Sequence, residues 1–293
     1  MKNKWKIFCA GAVFLLVLTG VLAVTGSESQ AKRLLDKPQM LMEGKTYSYD
    51  IDGDNKIEKI MVESEGDDDN YIVTTTVYAD GKQYAKVKEK GCYSHTVVLC
   101  DLYSKKKGMN LIVYGTSDSD CIGKVQVYKL GAKKMTKIAQ MKSGTRGKLN
   151  YIRMLGKIKQ GNEEGAFYIY PDTPFYLNYF GCYYTKVKCQ IQGNKIKWNE
   201  QKNYSYEYKY TFRLQVNMSL YSKADLQSQV TTLKPGIKMT VKKIQPIKRT
   251  KDGKTYSFVQ VTTASGKTGW IYDQPIVDYE NYVEVFKSMP AWG

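Results

Sequence analysis

From residue 45 onward the chain reads as short apolar–polar alternations, with β-branched and aromatic residues clustered between Gly, Asp and Asn turns. This pattern predicts strands over 46–51, 57–64, 71–79, 83–89, 97–101, 110–115, 123–130, 135–141, 165–170, 183–192 and 195–199. Asp80-Gly81 and Gly193-Asn194 sit between neighbouring runs and read as hairpin turns. No long stretch holds a 3.6-residue apolar period; the nearest is 148–158, interrupted by Gly156. At 206–216, Tyr206, Tyr208, Tyr210, Phe212, Leu214 and Val216 alternate strictly with polar residues. That predicts one half-buried strand, opening a second unit at a boundary near residue 203. The fold class is therefore all-β, with an antiparallel N-terminal domain over 45–202, either a partial propeller or a sandwich, and a smaller β unit over 203–293.

The front of the chain is different. Lys2, Lys4 and Lys6 precede an apolar run over 7–24, and Val21/Ala23 or Val24/Gly26 fit a small-residue cleavage site. The run is about eighteen residues, long enough to serve as a cleaved signal peptide or as a signal-anchor helix. Both place the rest of the chain outside the membrane, because the basic flank stays inside. The expected location is secreted or cell surface, with membrane contact only through residues 7–24. Cys9 lies at the start of the run, where a lipid anchor is not expected. Residues 27–44 read as a flexible spacer with a helical turn at 32–35.

Composition sharpens this picture. The 293 residues, 42% hydrophobic and 25% charged, suit a globular chain, and seven prolines exclude a proline-rich stalk. A single His argues against His-dependent catalysis and multi-His metal sites. The net charge is +17, carried by forty Lys and only five Arg. Lysine is a hydrated point charge, suited to diffuse attraction rather than bidentate phosphate recognition. Outside a cell this favours wall polymers or envelope proteins as partners, and not nucleic acid.

Against that basic background, residues 50–69 hold nine carboxylates and only Lys56 and Lys59. Asp50, Asp52, Asp54 and Glu58 occupy positions one, three, five and nine of a loop between two predicted strands. Crowded carboxylates raise one another's pKa and call for a cation, and calcium takes six to eight such oxygens. Lys56, at position seven, offers a backbone carbonyl, and Gly53 and Asn55 tolerate positive φ. The loop is not an EF-hand, since position six is Asn55 and position twelve is Met61. Asp50–Glu58 followed by Lys59-Ile60-Met61-Val62 resembles the calcium loops of FG-GAP and VCBS-type repeats. The resemblance is specific over 50–62 and weak over 45–140. It implies Asp50, Asp52, Asp54 and Glu58 as ligands of a structural calcium, although Glu58 and Asn55 stand where the family has Asp and Gly. A degenerate second copy runs from 97–101 to 111–113, with a basic loop at 103–108 where no metal is expected. Residues 67–70 read as an exposed hairpin turn.

The second unit carries its own resemblance. Leu220-Tyr221-Ser222, Leu233-Lys234-Pro235-Gly236, Met239-Thr240-Val241 and Gly266-Lys267-Thr268-Gly269-Trp270-Ile271 follow one another in the order of a bacterial SH3-like (SH3b) domain. This similarity covers about 206–275. It implies a small barrel that attaches exported proteins to wall material or to another protein, with Tyr221, Tyr256, Trp270 and Tyr272 lining its groove. Trp270 also reads as plain core. Residues 245–254 look like an exposed basic insertion, and 279–292 like an aromatic tail packed on the barrel.

An oxidising exterior favours disulfides among Cys92, Cys100, Cys121, Cys182 and Cys189. Five is odd, and two pairs can be chosen in fifteen ways. Cys92 and His95 invite a thiol–imidazole reading, but residues three apart on a strand point to opposite faces. The expectation is a non-catalytic envelope protein, a calcium-stabilised β domain joined to an SH3-like binding module. The alternative is a secreted wall or glycan hydrolase that uses the second unit for targeting.

Overall fold

The computed structural model describes residues 35, 37–103, 105–117, 122–142, 153–160, 164–172, 177–198, 201–249, 255–274 and 283–290. The signal or anchor segment at 1–26 lies outside them. Among the described residues no helix is long and apolar enough to cross a membrane, and none is α-helical.

Among the described residues, twenty strands follow in chain order. The first five are β1 (Gln39–Leu41), β2 (Tyr47–Tyr49), β3 (Glu58–Asp67), β4 (Ile72–Ala79) and β5 (Lys82–Lys90). Next come β6 (Ser94–Cys100), β7 (Asn110–Thr116), β8 (Ile122–Lys129) and β9 (Thr136–Lys142). Then β10 (Arg153–Gln160), β11 (Ala166–Asp172), β12 (Val187–Gln192) and β13 (Lys195–Trp198). The last group is β14 (Tyr204–Ser205), β15 (Phe212–Arg213), β16 (Met218–Tyr221), β17 (Gln229–Leu233), β18 (Lys238–Arg249), β19 (Thr255–Thr263) and β20 (Thr268–Asp273).

They form three sheets. β2-β3-β4-β5 is a four-stranded meander. The nine-stranded sheet runs β1-β6-β7-β8-β9-β13-β12-β11-β10, so two further four-strand meanders join edge to edge. That join is parallel, at Lys195 opposite Gln140. The third sheet runs β14-β18-β19-β20-β16-β17, with β15 also on β18. The turns follow local chemistry: Asp80 and Gly81 have φ of 51° and 74°, the left-handed pair that a two-residue hairpin turn needs.

β6 and β7 are buried on both faces, which is why their sequences run apolar instead of alternating. Val97, Leu99, Leu111 and Val113 pack with Ile60, Val62, Val77 and Val87 of the four-stranded sheet. Val98, Cys100, Ile112 and Tyr114 point the other way, into a second cluster. Each such burial contributes about 1.5–3 kcal/mol. The second cluster continues through Phe167, Phe180 and Tyr183 to Phe212, Val241, Ile271 and Phe286. A shared core therefore runs across residue 203, while the backbone ladders of the third sheet begin there, at β14.

Several expectations are corrected. The spacer over 27–44 contributes β1, which pairs with β6, and Leu35 and Leu41 are buried. The helix candidate at 148–158 is strand from Arg153 on, paired with β11; 148–152 lie outside the described residues. Of the single strand expected at 206–216 only Phe212–Arg213 (β15) is a named strand; β14 precedes the span, and both pair with β18. Ser205 pairs with Lys243 and Phe212 with Met239, so seven steps of chain span four steps of β18. The surplus leaves the ladder around Tyr208, which is exposed. The supposed loop at 245–254 is strand to Arg249, with a bulge between Pro246 and Lys248. Of the tail, Val285 and Phe286 are buried in the shared core.

Candidate functional site

The acidic loop connects β2 to β3. Carboxylate oxygens of Asp50, Asp52 and Glu58 lie within 4.8 Å of one another. Asp50 is buried, and its two oxygens accept from the backbone N–H groups of Gly53 at 2.7 Å and Asn55 at 3.0 Å. Gly53 and Asn55 take φ of 81° and 77°, the positive values expected there. Glu58 reaches back to accept from the Ile51 N–H at 2.9 Å. Burial raises the Glu58 pKa, against the pull of that N–H, and the charges of Asp52, Asp54 and Asp50 push it further up. This all-oxygen donor set fits a hard divalent cation such as calcium.

Asp54 does not join the group. Its Oδ1 accepts from the Lys56 N–H at 2.8 Å and its Oδ2 pairs with the Lys56 ammonium at 3.2 Å. These contacts hold Asp54 below the usual carboxylate range and raise Lys56. The basic loop before β7 lies directly against the acidic one. The Met109 N–H donates to Ile51 O at 2.7 Å. A Cβ on Gly53 would lie 2.7 Å from Gly108 N and 2.8 Å from Lys107 Cβ.

On the third sheet, Tyr221, Trp270, Tyr272 and Tyr256 share one face. Tyr221 is paired with Trp270 and Phe258 with Tyr272. The rings form a row: Tyr221 to Phe258 at 5.9 Å, Phe258 to Tyr272 at 5.2 Å, and Tyr272 stacked on Tyr256 at 6.2 Å. Tyr221, Tyr256 and Tyr272 are half-buried, whereas Trp270 is buried, with the Lys243 ammonium 5.4 Å above its ring. Phe258, which sequence reasoning passed over, is the buried floor of the row.

No family model, curated protein or solved structure matches the chain. The residues must speak for themselves.

The disulfide expectation is corrected: Cys92, Cys100, Cys182 and Cys189 are in no disulfide, and Cys121 lies outside the described residues. Cys100 and Cys189 are buried on strands, and burial pushes their thiols up. The geometry expected of Cys92 and His95 is also corrected. Gly91, at φ 84°, breaks the strand before Cys92, and the Cys92 sulfur lies 3.8 Å from His95 Nε2. Burial, then the Glu89 charge, pushes the Cys92 thiol up to about 11. Thiol nucleophiles need the reverse, a lowered pKa and access.

Proposed function

We propose that this chain is a non-catalytic exported envelope protein, with a calcium-held β unit carrying an SH3-like module for wall polymer or a surface protein. The row Tyr221–Phe258–Tyr272–Tyr256 carries the reading. Three half-buried tyrosines with one apolar face and a polar edge suit a sugar ring or a partner side chain. The strand order β18-β19-β20-β16-β17 supports an SH3-like arrangement. Three successive four-strand meanders, with the Asp50, Asp52 and Glu58 loop in the first, support the repeat reading. The Lys excess would add long-range attraction to anionic wall polymers.

The test is co-sedimentation of the full chain with insoluble bacterial cell wall, at low and high salt, with and without calcium. Pelleting that persists at high salt is expected. Tyr256→Ala and Tyr272→Ala should each weaken it about fivefold, the equivalent of about 1 kcal/mol for one ring contact. No pelleting at any salt sinks the wall reading and turns the search to protein partners.

A further inference from the structure

A second group of ligating side chains converges among the described residues, away from the acidic loop: Glu89, Cys92 and His95. Glu89 is the next-to-last residue of β5, in the four-stranded sheet, and His95 is the second residue of β6, in the nine-stranded one. The chain between them turns at Gly91, whose N–H donates to Tyr71 O, and Tyr93 N–H donates to Thr116 O. His95 Nε2 lies 3.8 Å from the Cys92 sulfur and 3.7 Å from Glu89 Oε2. The His95 and Glu89 side chains are 0% and 2% exposed, and Cys92 is 1% exposed.

We propose that Glu89, Cys92 and His95 form a buried structural zinc site that clips the four-stranded sheet to the nine-stranded one.

Three observations carry it. Zinc takes sulfur at about 2.3 Å and nitrogen or oxygen at about 2.0–2.1 Å, so tetrahedral ligand–ligand edges are about 3.3–3.6 Å. The two measured edges are close to these, and a shift of a few tenths of an ångström closes them. Next, the ligands are already oriented by partners of the kind metal sites use. Thr75 Oγ1 holds His95 Nδ1 at 2.9 Å and is itself held by Ser64 Oγ at 2.7 Å, leaving Nε2 toward the sulfur and the carboxylate. Gln126 Nε2 donates to Glu89 Oε2 at 3.2 Å, and Tyr128 OH donates to Gln126 Oε1 at 3.0 Å. Lys124 stands 3.9 Å from the other Glu89 oxygen.

Finally, two glycines make the room. A Cβ on Gly115, opposite His95 in the register, would meet the Cys92 sulfur at 2.9 Å. A Cβ on Gly123 would meet Glu89 Oε1 at 3.1 Å. Neither glycine has a positive φ, so space rather than backbone conformation accounts for them. Glycine inside a strand weakens it and marks close approach. The mixed sulfur, nitrogen and oxygen set suits zinc over calcium or magnesium. Cys92 binds as thiolate, its proton leaving to solvent. Glu89, Cys92 and His95 supply three of the four tetrahedral positions and a water molecule would complete the set; the lack of exposure fits a structural role.

The full chain, stripped with chelator and dialysed, is titrated with Co²⁺. One equivalent should produce a thiolate-to-cobalt charge-transfer band and tetrahedral d–d bands, displaced by Zn²⁺ and unmoved by excess Ca²⁺. Cys92→Ser should abolish the charge-transfer band. Thr75→Val, which removes only the hydroxyl behind His95, should weaken cobalt binding about 10–100-fold. A folded wild type with no such band overturns the proposal, as does a band that survives Cys92→Ser. Should Cys92→Ser not fold, an affinity unchanged in Thr75→Val overturns it.

Discussion

Gly53 concentrates two constraints in one residue. Its φ is 81°, and a Cβ there would sit 2.7 Å from the backbone nitrogen of Gly108. Gly193 has a similar φ of 58° but open space around it. Gly53→Ala therefore carries the left-handed cost, about 1–2 kcal/mol, plus an overpacking cost of about 1–3 kcal/mol. Gly193→Ala carries the first alone. Urea denaturation of both variants should show the larger loss at Gly53; equal losses would mean that the two loops do not pack as described. The positive φ at Gly53 and Asn55 was legible in the sequence, because residue type limits backbone conformation locally. So was the convergence of Asp50, Asp52 and Glu58. The departure of Asp54 was not, since a hydrogen bond two residues ahead competes with the shared site and wins when Lys56 adds its charge. The pairing of Cys92 with His95 was hidden too: it needs Gly91 out of the strand, and a glycine permits that conformation without demanding it.

Elements show the same division. Strands with one wet face were easy to read from period-two alternation, and the Asp80-Gly81 turn from its residues. Where the chain leaves the ladder at Tyr206–Thr211, alternation persists but pairing stops, because the partner β18 offers fewer positions than the chain supplies. At the end of β20, Asp273 is fully buried. It accepts from the Asn178 N–H at 2.9 Å, the Asn178 side-chain amide at 2.9 Å and the Tyr179 N–H at 2.8 Å. Burial pushes its pKa from 3.8 to about 7, outweighing those three donors. The folded state thus binds a proton that the unfolded chain releases between about pH 4 and pH 7. The stability so contributed is fully present below about pH 4 and lost as pH rises through about 7. Denaturant midpoints at pH 4, 5.5 and 8 should therefore show a falling contribution that disappears in Asp273→Asn. An identical pH profile in the variant would count against a protonated Asp273.

For the whole molecule, the question is whether residue 203 divides two folding units. Ladders change sheets there, yet Phe180 touches Phe212 and Phe286 at centroid distances of 5.2 and 4.9 Å, and Tyr183 stacks on Tyr206 at 5.6 Å. Asp273 and Pro290 also reach back, to Asn178 and to Cys182. A fragment of 203–293 would expose that apolar face to water. Calorimetry of the full chain should accordingly give one transition with matching calorimetric and van't Hoff enthalpies. Two separated transitions would mean that the shared core is weaker than either half.

By itself the sequence determined the all-β class, most strand positions, the tight turns and the acidic loop, because each depends on residues within a few positions of one another. Only the tertiary structure decided that β1 belongs to the nine-stranded sheet, that β9 and β13 meet in parallel, and that Glu89, Cys92 and His95 share a point between sheets. These are pairings across long stretches of chain. Register, surplus residues and the space left by Gly115 and Gly123 select them, and none of those quantities is local.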